Sequence, residues 1–390
     1  THVGRDNRKG DTMGSIQPKQ KGRGGKKAGW RALYRDHENK QRSKSFDRKA
    51  DAQRFLATVE ADKLRGTYVD PRAGKITLNE YAETFMAAQV WRAGTRAQAR
   101  THIANHIGPA LGNRQLATIT RTDVQAFVAS LTAKGLAPTT VQGIHVRLVS
   151  ILEAAVHDGK IVRSPAIRIQ LPKTIKTAAS QVVALDLDDV RRIADAAPPH
   201  LTALVWLIAT AGLRPGEAAG LTVERVNFLQ KTIDVDRQLL TPPKGLTRLG
   251  PTKTSASVRA VPINDLLLAE LNRHMQDHRP VEIEPGATLI FTNSEGRPLR
   301  RDTLGKSWRK IRTELELPAE ARGWHSLRHT YASALIHAGL SVKTVQARLG
   351  HASAVETLEV YSHLWPDSED DTRAAIDGWL SAPAAAAGRG

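Results

Sequence analysis

The 390-residue chain contains no cysteine, only 5% aromatic side chains and fewer acidic than basic residues. Without cysteine it can form no disulfide and offers no thiolate as metal ligand or nucleophile, a composition compatible with a reducing cytoplasm. It lacks any run of about 18 apolar residues, so no segment is suited to a membrane-spanning helix. It also lacks a basic stretch leading into an apolar one, as a secretory signal would require. The shortage of acid is the most telling deficit, because 57 Lys and Arg against 39 Asp and Glu leave a formal charge of +18. Such a balance favours a polyanionic partner. The excess is uneven: residues 1–75 hold 20 basic and 9 acidic side chains, residues 76–172 hold 10 and 5, and the rest hold 27 and 25. Basicity in the first half suits a grip on backbone phosphates, which leaves the nearly balanced second half for more local work.

Sequence patterning divides the chain further. Residues 1–27, with "KQKGRGGKKAG", are rich in Gly and Lys and are expected to be a disordered basic arm. In residues 28–70, "WRALYRD" and "KQRSKSF" alternate as strands, and Asp47 is expected to cap a helix with Ala50, Phe55, Ala57 and Leu64 on one face. Residues 75–163 carry helical periodicity, with helices expected near 77–89, 94–107, 120–133 and 138–157, punctuated by Gly94, "GPALGN" and "KGLAP". Thr139, Thr140, Gln142, His145 and Arg147 on the last of these could face a DNA backbone or simply be solvated positions. Residues 164–183, with two prolines in "SPAIRIQLPK", read as an extended linker. Residues 184–382 open with "LDLDDVRRIADAA" and an apolar helix stopped by Gly212, and "KTIDVDRQL" should pair with "SVRAVPI" as strands across "TPPKGLTRLGPT". Residues 383–390 form a low-complexity tail. The fold class is therefore multi-domain and mostly α, with small β-sheets. No internal repeat is visible.

Chemistry gathers in "GWHSLRHTYASAL", which places His325, Arg328 and His329 within five positions. Leu327, Tyr331, Ala334, Leu335 and Ala338 recur at helical spacing and predict a buried stripe that excludes the three basic side chains. Two histidines four apart could be zinc ligands, but no cysteine exists, no Glu stands between them, and an adjacent arginine repels a cation. An anion suits the trio better, since a guanidinium presents a planar fork to two phosphate oxygens. Arg214 follows the Gly212 stop with Pro215 placed for the first turn of the next helix, and His351 follows a stop at Gly350. Tyr361 comes ten residues after His351, near the end of a short helix capped by Ser353.

In sequence order Arg214, His325, Arg328, His351 and Tyr361 resemble the tyrosine recombinases, the phage-type integrases. The boxes stand here as "TAGLRPGEAAGL", "HSLRHTYAS", "LGH" and the tyrosine, and "PTKTSASVRAVPI" resembles the family's β-hairpin with its lysine at Lys253. Lys244, nine residues earlier, is the alternative. Residues upstream, from "THIANHIGPALG" to "VRSPA", resemble the SAM-like core-binding domain, and "GWRALYRDHENKQRSKSF" with "DAQRF" resembles the small arm-binding domain. The likeness spans roughly residues 28–380 and implies a three-stranded sheet with one helix, a four-helix core-binding domain and a mixed α+β catalytic domain.

What the resemblance implies is phosphodiester cleavage with Tyr361 as nucleophile and a 3′-phosphotyrosyl intermediate. Arg214 and Arg328 would bind the non-bridging oxygens, His325 and His351 would add donors, and His325 would accept the tyrosine proton. Lys253 would protonate the departing 5′ oxygen, Glu217 would hold a catalytic side chain, and His329 would be a buried supporting histidine. No metal or other cofactor is called for. Lys26 and Lys27 of the basic arm, Arg31, Arg35 and Lys44 of the small domain, and Thr139, Thr140, Gln142 and Arg147 would contact DNA. Expected partners are double-stranded attachment sites of core and arm type, three further copies of the chain in a tetramer passing through a Holliday junction, a host DNA-bending protein and an excisionase. The setting would be the cytoplasm and nucleoid of a bacterial host. Other readings are a type IB topoisomerase-like enzyme and a non-catalytic DNA-binding regulator.

Overall fold

A computed structural model describes residues 14–19, 29–36, 40–65, 68–70, 72–173, 184–242, 246–365 and 369–381. The chain separates into two units, residues 1–174 and 175–390. Among the described residues no helix is long and apolar enough to cross a membrane.

The first unit begins with an antiparallel sheet of β1 (Ser15–Pro18), β2 (Trp30–Arg35) and β3 (Gln41–Phe46), in that order. β1 lies inside the stretch expected to be a disordered arm, and its register, Ser15 opposite Leu33 through Pro18 opposite Trp30, supplies the third strand. The backbone ladder overrides a weak sequence signal here, because strand pairing needs few apolar side chains when a neighbour offers a free edge. Ala32 and Tyr34 on one face of β2 meet Ala52, Leu56 and Val59 of α1 (Lys49–Leu64). The buried face of α1 therefore differs from the expected one, and Leu64 is 90% exposed. Asp47 does not cap α1; the N-cap is Arg48, without a side-chain cap bond.

A separate core in the same unit is built by α2 (Leu78–Ala88), α3 (Ala93–His102), α4 (Gly108–Leu111), α5 (Arg121–Ala133) and α6 (Pro138–His157). Thr77 with Glu80 and Thr120 with Asp123 form capping boxes that start α2 and α5. A π-helical turn, Ile103–Ile107, carries α3 into α4, so "GPALGN" continues a helix before it breaks one. α6 buries Val141, Ile144, Leu148, Ile151 and Leu152 at the i, i+3, i+4 spacing of a core stripe.

The second unit is organised around α8 (Pro199–Ala211), which is apolar on nearly all sides and buries Leu201, Leu204, Leu207 and Ile208 completely. α7 (Leu187–Ala196), capped by Asp186, precedes it, and α9 (Pro215–Ala219) follows. β4 (Val226–Asn227), β5 (Thr232–Val235) and β8 (Arg259–Pro262) form one sheet, while β6 (Arg237–Leu240) pairs with β7 (Arg248–Pro251). "KTIDVDRQL" thus divides at Asp236. Its first half pairs with "RAVP" as expected, and its second half pairs with β7. α10 (Asp265–Asp277) and the hairpin β9 (Val281–Glu284) with β10 (Ala287–Leu289) come next. They are followed by α11 (Arg301–Glu314), α12 (His325–His337), α13 (Val342–Leu349), α14 (Ala354–Tyr361) and α15 (Glu369–Ser381).

Candidate active site

Gly212 ends α8 in the left-handed conformation at φ 65°, where L side chains are rare. A Cβ there would also stand 2.1 Å from the Tyr331 ring, so α8 and α12 approach one another only because this position is glycine. The turn delivers Arg214 as N-cap of α9, with Pro215 at the first helical position as expected. Arg214 Nη1 donates to Glu217 Oε1 at 2.8 Å and to Ser257 Oγ at 3.0 Å, and Nη2 donates to the Gly350 carbonyl at 2.9 Å. The Glu217 carboxylate also accepts the Arg214 backbone N–H at 3.0 Å. Burial alone would raise this carboxyl, but Arg259, the Arg214 N–H and the Arg214 guanidinium outweigh it and hold the group below the ordinary carboxylate range.

α12 buries Leu327 and Tyr331 as expected, but its buried face also takes in Arg328. Its buried side is formed by Ser326, Leu327, Arg328, Tyr331, Ala332, Ser333 and Ile336, while Ala334 and Ala338 are exposed. Arg328 is thus part of the interior, 1% exposed, and is paid for by charge-assisted bonds of 2.6 Å from Nη1 to the Gly212 carbonyl and from Nη2 to the Leu349 carbonyl. Burial and the neighbouring Arg214 push the Arg328 guanidinium down, yet its ordinary value is so high that it stays charged at neutral pH. Both arginines therefore reach the end of α13, one at Leu349 and the other at Gly350. His351 follows directly.

Gly350 closes α13 at φ 65°, as the sequence leads one to expect, and Ser353 caps α14 through the Glu356 N–H. His351 is 8% exposed, and its Nδ1 lies 2.9 Å from the Thr357 hydroxyl, which fixes the ring and leaves Nε2 free of that bond. Desolvation, with the charge of Arg328 next, pushes this imidazole down to about 4. Tyr361, at the end of α14, is 1% exposed. Its hydroxyl meets Nδ1 of His329 at 2.6 Å rather than His325, the residue expected to take its proton. The His325 ring stacks edge-on against His329 with centroids 4.9 Å apart. Desolvation lowers the His325 imidazole first, and the charges of Arg328 and Arg214 add to this. Its side chain is open to solvent, so the two arginines are the firmer cause.

The structure thus gathers Arg214, Glu217, His325, Arg328, His329, His351 and Tyr361. Lys253 lies in the exposed turn after β7, tied to the cluster through Ser257 rather than by its own amine. Lys244, Lys26 and Lys27 fall outside the described residues. Arg31 and Arg35 stand on the exposed side of β2, and Lys44 on β3 lies with Nζ 4.7 Å over the Phe55 ring. Thr139 and Thr140 are exposed on the first turn of α6. Three neighbours on α6 differ from expectation because they pack inward: Gln142 donates to the Pro172 carbonyl, Arg147 lies 4.2 Å over the Trp91 ring, and His145 is 8% exposed. Among the described residues no group of His, Asp and Glu could hold a metal ion.

Arg259 escaped the sequence reading. It opens β8 on the same side as the fully buried Val261, while Ala260 and Pro262 point outward. A charge on the buried parity of a strand is the signal that marks it.

Residues 184–367 match the family described as phage integrase family, and residues 78–171 match the phage integrase central domain. A tyrosine recombinase XerC-like protein of Caldanaerobacter subterraneus is 26% identical over 315 residues, covering 75% of this chain and 80% of that one. The Tn1549 transposon integrase bound to transposon right-end DNA superposes with a TM-score of 0.67 at 20% identity, covering 78% of this chain and 100% of that one. A lambda integrase tetramer bound to a Holliday junction gives a TM-score of 0.56 at 18% identity, covering 87% and 96%.

Proposed function

Because the chain belongs to the phage integrase family of tyrosine recombinases, we propose that it inserts and excises a phage or comparable mobile element, using Tyr361 to cut and rejoin DNA. Site-specific strand breakage and rejoining is the activity of this family. The observation that carries the residue assignment is the convergence of two arginines on the Leu349–Gly350 carbonyls, beside a tyrosine hydroxyl held by histidine.

In this reading the scissile phosphate lies between Arg214 and Arg328, whose cationic N–H donors offset charge as the phosphorane forms. The phenol oxygen attacks phosphorus, the bond to the 5′ oxygen breaks, and that oxygen takes a proton from Lys253. His329 holds the hydroxyl in the resting chain. When the phenol turns toward phosphate, His325, on the open side of the same helix turn, receives its proton. His351 donates through Nε2. The 3′-phosphotyrosyl ester conserves the energy of the broken bond, so a 5′ hydroxyl from another strand can reverse the step and reseal DNA.

Two paired exchanges by four copies through a Holliday junction follow from this reading, supported by likeness of fold to an integrase tetramer on such a junction. Arm-type sites would be met by the small sheet domain with Arg31, Arg35 and Lys44, and core-type sites by the helical domain through Thr139 and Thr140. A host DNA-bending protein and an excisionase complete the proposed assembly, at the host nucleoid.

The experiment is covalent capture. The chain and its Tyr361→Phe variant are incubated with nicked duplexes tiled across the DNA flanking its own gene, and SDS-resistant adducts are scored. An adduct formed only with tyrosine present supports the reading and supplies the core site. Binding without an adduct in either protein favours a non-catalytic regulator.

A further inference from the structure

We propose that Arg259 is a positioning residue that anchors the turn carrying Lys253 to the frame holding the Arg214 clamp and the segment presenting His351, so that the leaving-group acid is placed against phosphate donors whose own bonds already fix them. The inference rests on the reading of Lys253 as the proton donor to the departing oxygen.

The Arg259 side chain is 6% exposed, and its guanidinium joins its own turn at Ser257 to two stretches that are remote in sequence, at Glu217 and Arg348. Nη2 donates to Glu217 Oε2 at 3.0 Å, Nη1 to the Ser257 carbonyl at 2.9 Å, and Nε to the Arg348 carbonyl at 2.8 Å. Glu217 is the carboxylate that holds Arg214, and Arg348 stands two residues before Gly350, whose carbonyl takes Arg214 Nη2. Ser257 is fully buried. Its hydroxyl accepts Arg214 Nη1 at 3.0 Å and lies 2.9 Å from the Thr254 hydroxyl, and its N–H donates to the Thr254 carbonyl at 3.1 Å. The same Thr254 carbonyl accepts the Thr252 hydroxyl at 3.1 Å. The turn is thus closed on both sides of Lys253, and its inner end is held by two arginines.

There is little slack in this arrangement. A Cβ at Gly350 would lie 2.9 Å from Arg259 Nη1 and 3.1 Å from both the Ala256 carbonyl oxygen and Ser257 Cα, so the approach to His351 packs directly on the turn. Lys253 itself is exposed on a flexible stem. Its reach toward a leaving oxygen is therefore set by the turn, and a general acid works only within hydrogen-bond distance of the atom it protonates. Glu217 alone cannot set that distance, because its bonds go to Arg214 and Arg259. Lysine at 259 would keep the charge but lose the planar fork that reaches three acceptors.

The test uses the full chain on the DNA captured in the Tyr361 experiment, in two forms. In one, the scissile phosphate is unmodified; in the other, sulfur replaces the bridging 5′ oxygen. On the first, the Tyr361 oxygen bonds to phosphorus, the bond to the 5′ oxygen breaks, and that oxygen leaves with a proton from Lys253. On the second, the phosphorus–sulfur bond breaks and sulfur leaves as a thiolate, needing no proton. Arg259→Lys and Ser257→Ala should each slow single-turnover adduct formation on the oxygen substrate by about 10²-fold. Both should return to within a few-fold of the unsubstituted chain on the sulfur substrate. Lys253→Ala should behave in the same way, and Arg214→Lys should stay slow on both substrates. Recovery of Lys253→Ala without recovery of Arg259→Lys or Ser257→Ala overturns the inference, because the brace then serves the clamp or the fold. Failure of Lys253→Ala to recover overturns the acid assignment, and the inference falls with it. If circular dichroism shows Arg259→Lys unfolded, Ser257→Ala decides.

Discussion

Nδ1 of His329 lies 2.6 Å from the hydroxyl of Tyr361, inside a site where the phenol is 1% exposed. Burial pushes the phenol up to about 12, against the lowering effect of Arg328, and desolvation, with His325, Arg328 and His351 behind it, pushes the imidazole down to about 3. Both groups are neutral near pH 7, so the phenol donates and the imidazole accepts. The nucleophile is stored protonated. His329→Ala would leave a buried hydroxyl without its acceptor, at a cost of about 1–3 kcal/mol, which favours turning the ring toward water. Ultraviolet difference titration against the His329→Ala/Tyr361→Phe double variant should show the Tyr361 phenol moving down from about 12 toward its ordinary value near 10. An unmoved titration would show that packing alone keeps the ring in place.

The two arginines should answer differently to lysine. Arg214 keeps 22% of its side chain exposed, so Arg214→Lys should lower the rate of adduct formation by about 10²-fold or more with a smaller drop in melting temperature than Arg328→Lys. Arg328 is 1% exposed and holds the Gly212 and Leu349 carbonyls. A lysine ammonium cannot span both, so Arg328→Lys should lower melting temperature as well as rate. Calorimetry beside single-turnover kinetics checks the contrast, and equal melting temperatures for the two variants would contradict it.

Acid should weaken the catalytic unit. His274, buried with Nε2 3.1 Å from the Ile290 carbonyl, is pushed down to about 4 by desolvation, and His329 and His351 are shifted in the same direction. An imidazole whose folded value lies below its unfolded value near 6.5 binds more protons when unfolded. Stability is therefore complete above pH 6.5 and declines as pH falls toward 4. Urea midpoints measured between pH 7.5 and 4.5 should fall, and His274→Gln, which lies away from the reactive cluster, should flatten the slope. A slope unchanged in His274→Gln would remove this ring from the account.

Gly212→Ala should be among the most damaging small substitutions. The position combines φ 65° with a Cβ that would stand 2.1 Å from a Tyr331 ring atom. Left-handed strain alone costs about 1–2 kcal/mol, and displacement of the ring adds to it. Chemical denaturation should show a loss above 2 kcal/mol, and a loss below 1 kcal/mol would mean that Tyr331 has room to turn aside.

Local punctuation was legible in the sequence. The stops at Gly212 and Gly350, the Ser353 cap, and helices 120–133 and 138–157 all follow from short-range chemistry, and they delivered Arg214, His351 and Tyr361 to the right places on their elements. What stayed hidden depends on partners far along the chain. Arg328 sits at the margin of its helical stripe, and it is buried because carbonyls 116 and 21 residues away accept its N–H groups. His329 reaches Tyr361 across 32 residues, and Arg259 reaches Arg348 across 89. The same limit explains α6, where period 3.6 marks exposed positions but cannot foresee that Trp91 will cover Arg147.

α15 tests the proposed assembly. Ile376, Trp379 and Leu380 share one face at i, i+3, i+4 spacing and are 54%, 74% and 67% exposed. A large aromatic flanked by two aliphatic side chains is the composition of an interface anchor. In the tetramer reading, the occupant of that face is a neighbouring copy of the chain on DNA. Trp379→Asp combined with Ile376→Asp should leave adduct formation on a single core site within a few-fold of the unsubstituted chain, because neither residue belongs to the reactive cluster. The same variant should lose the four-protein, two-duplex complex in native gels and in sedimentation. Assembly at unchanged protein concentration would show that α15 does not dock between copies. Loss of single-site cleavage would show instead that the helix supports its own catalytic unit.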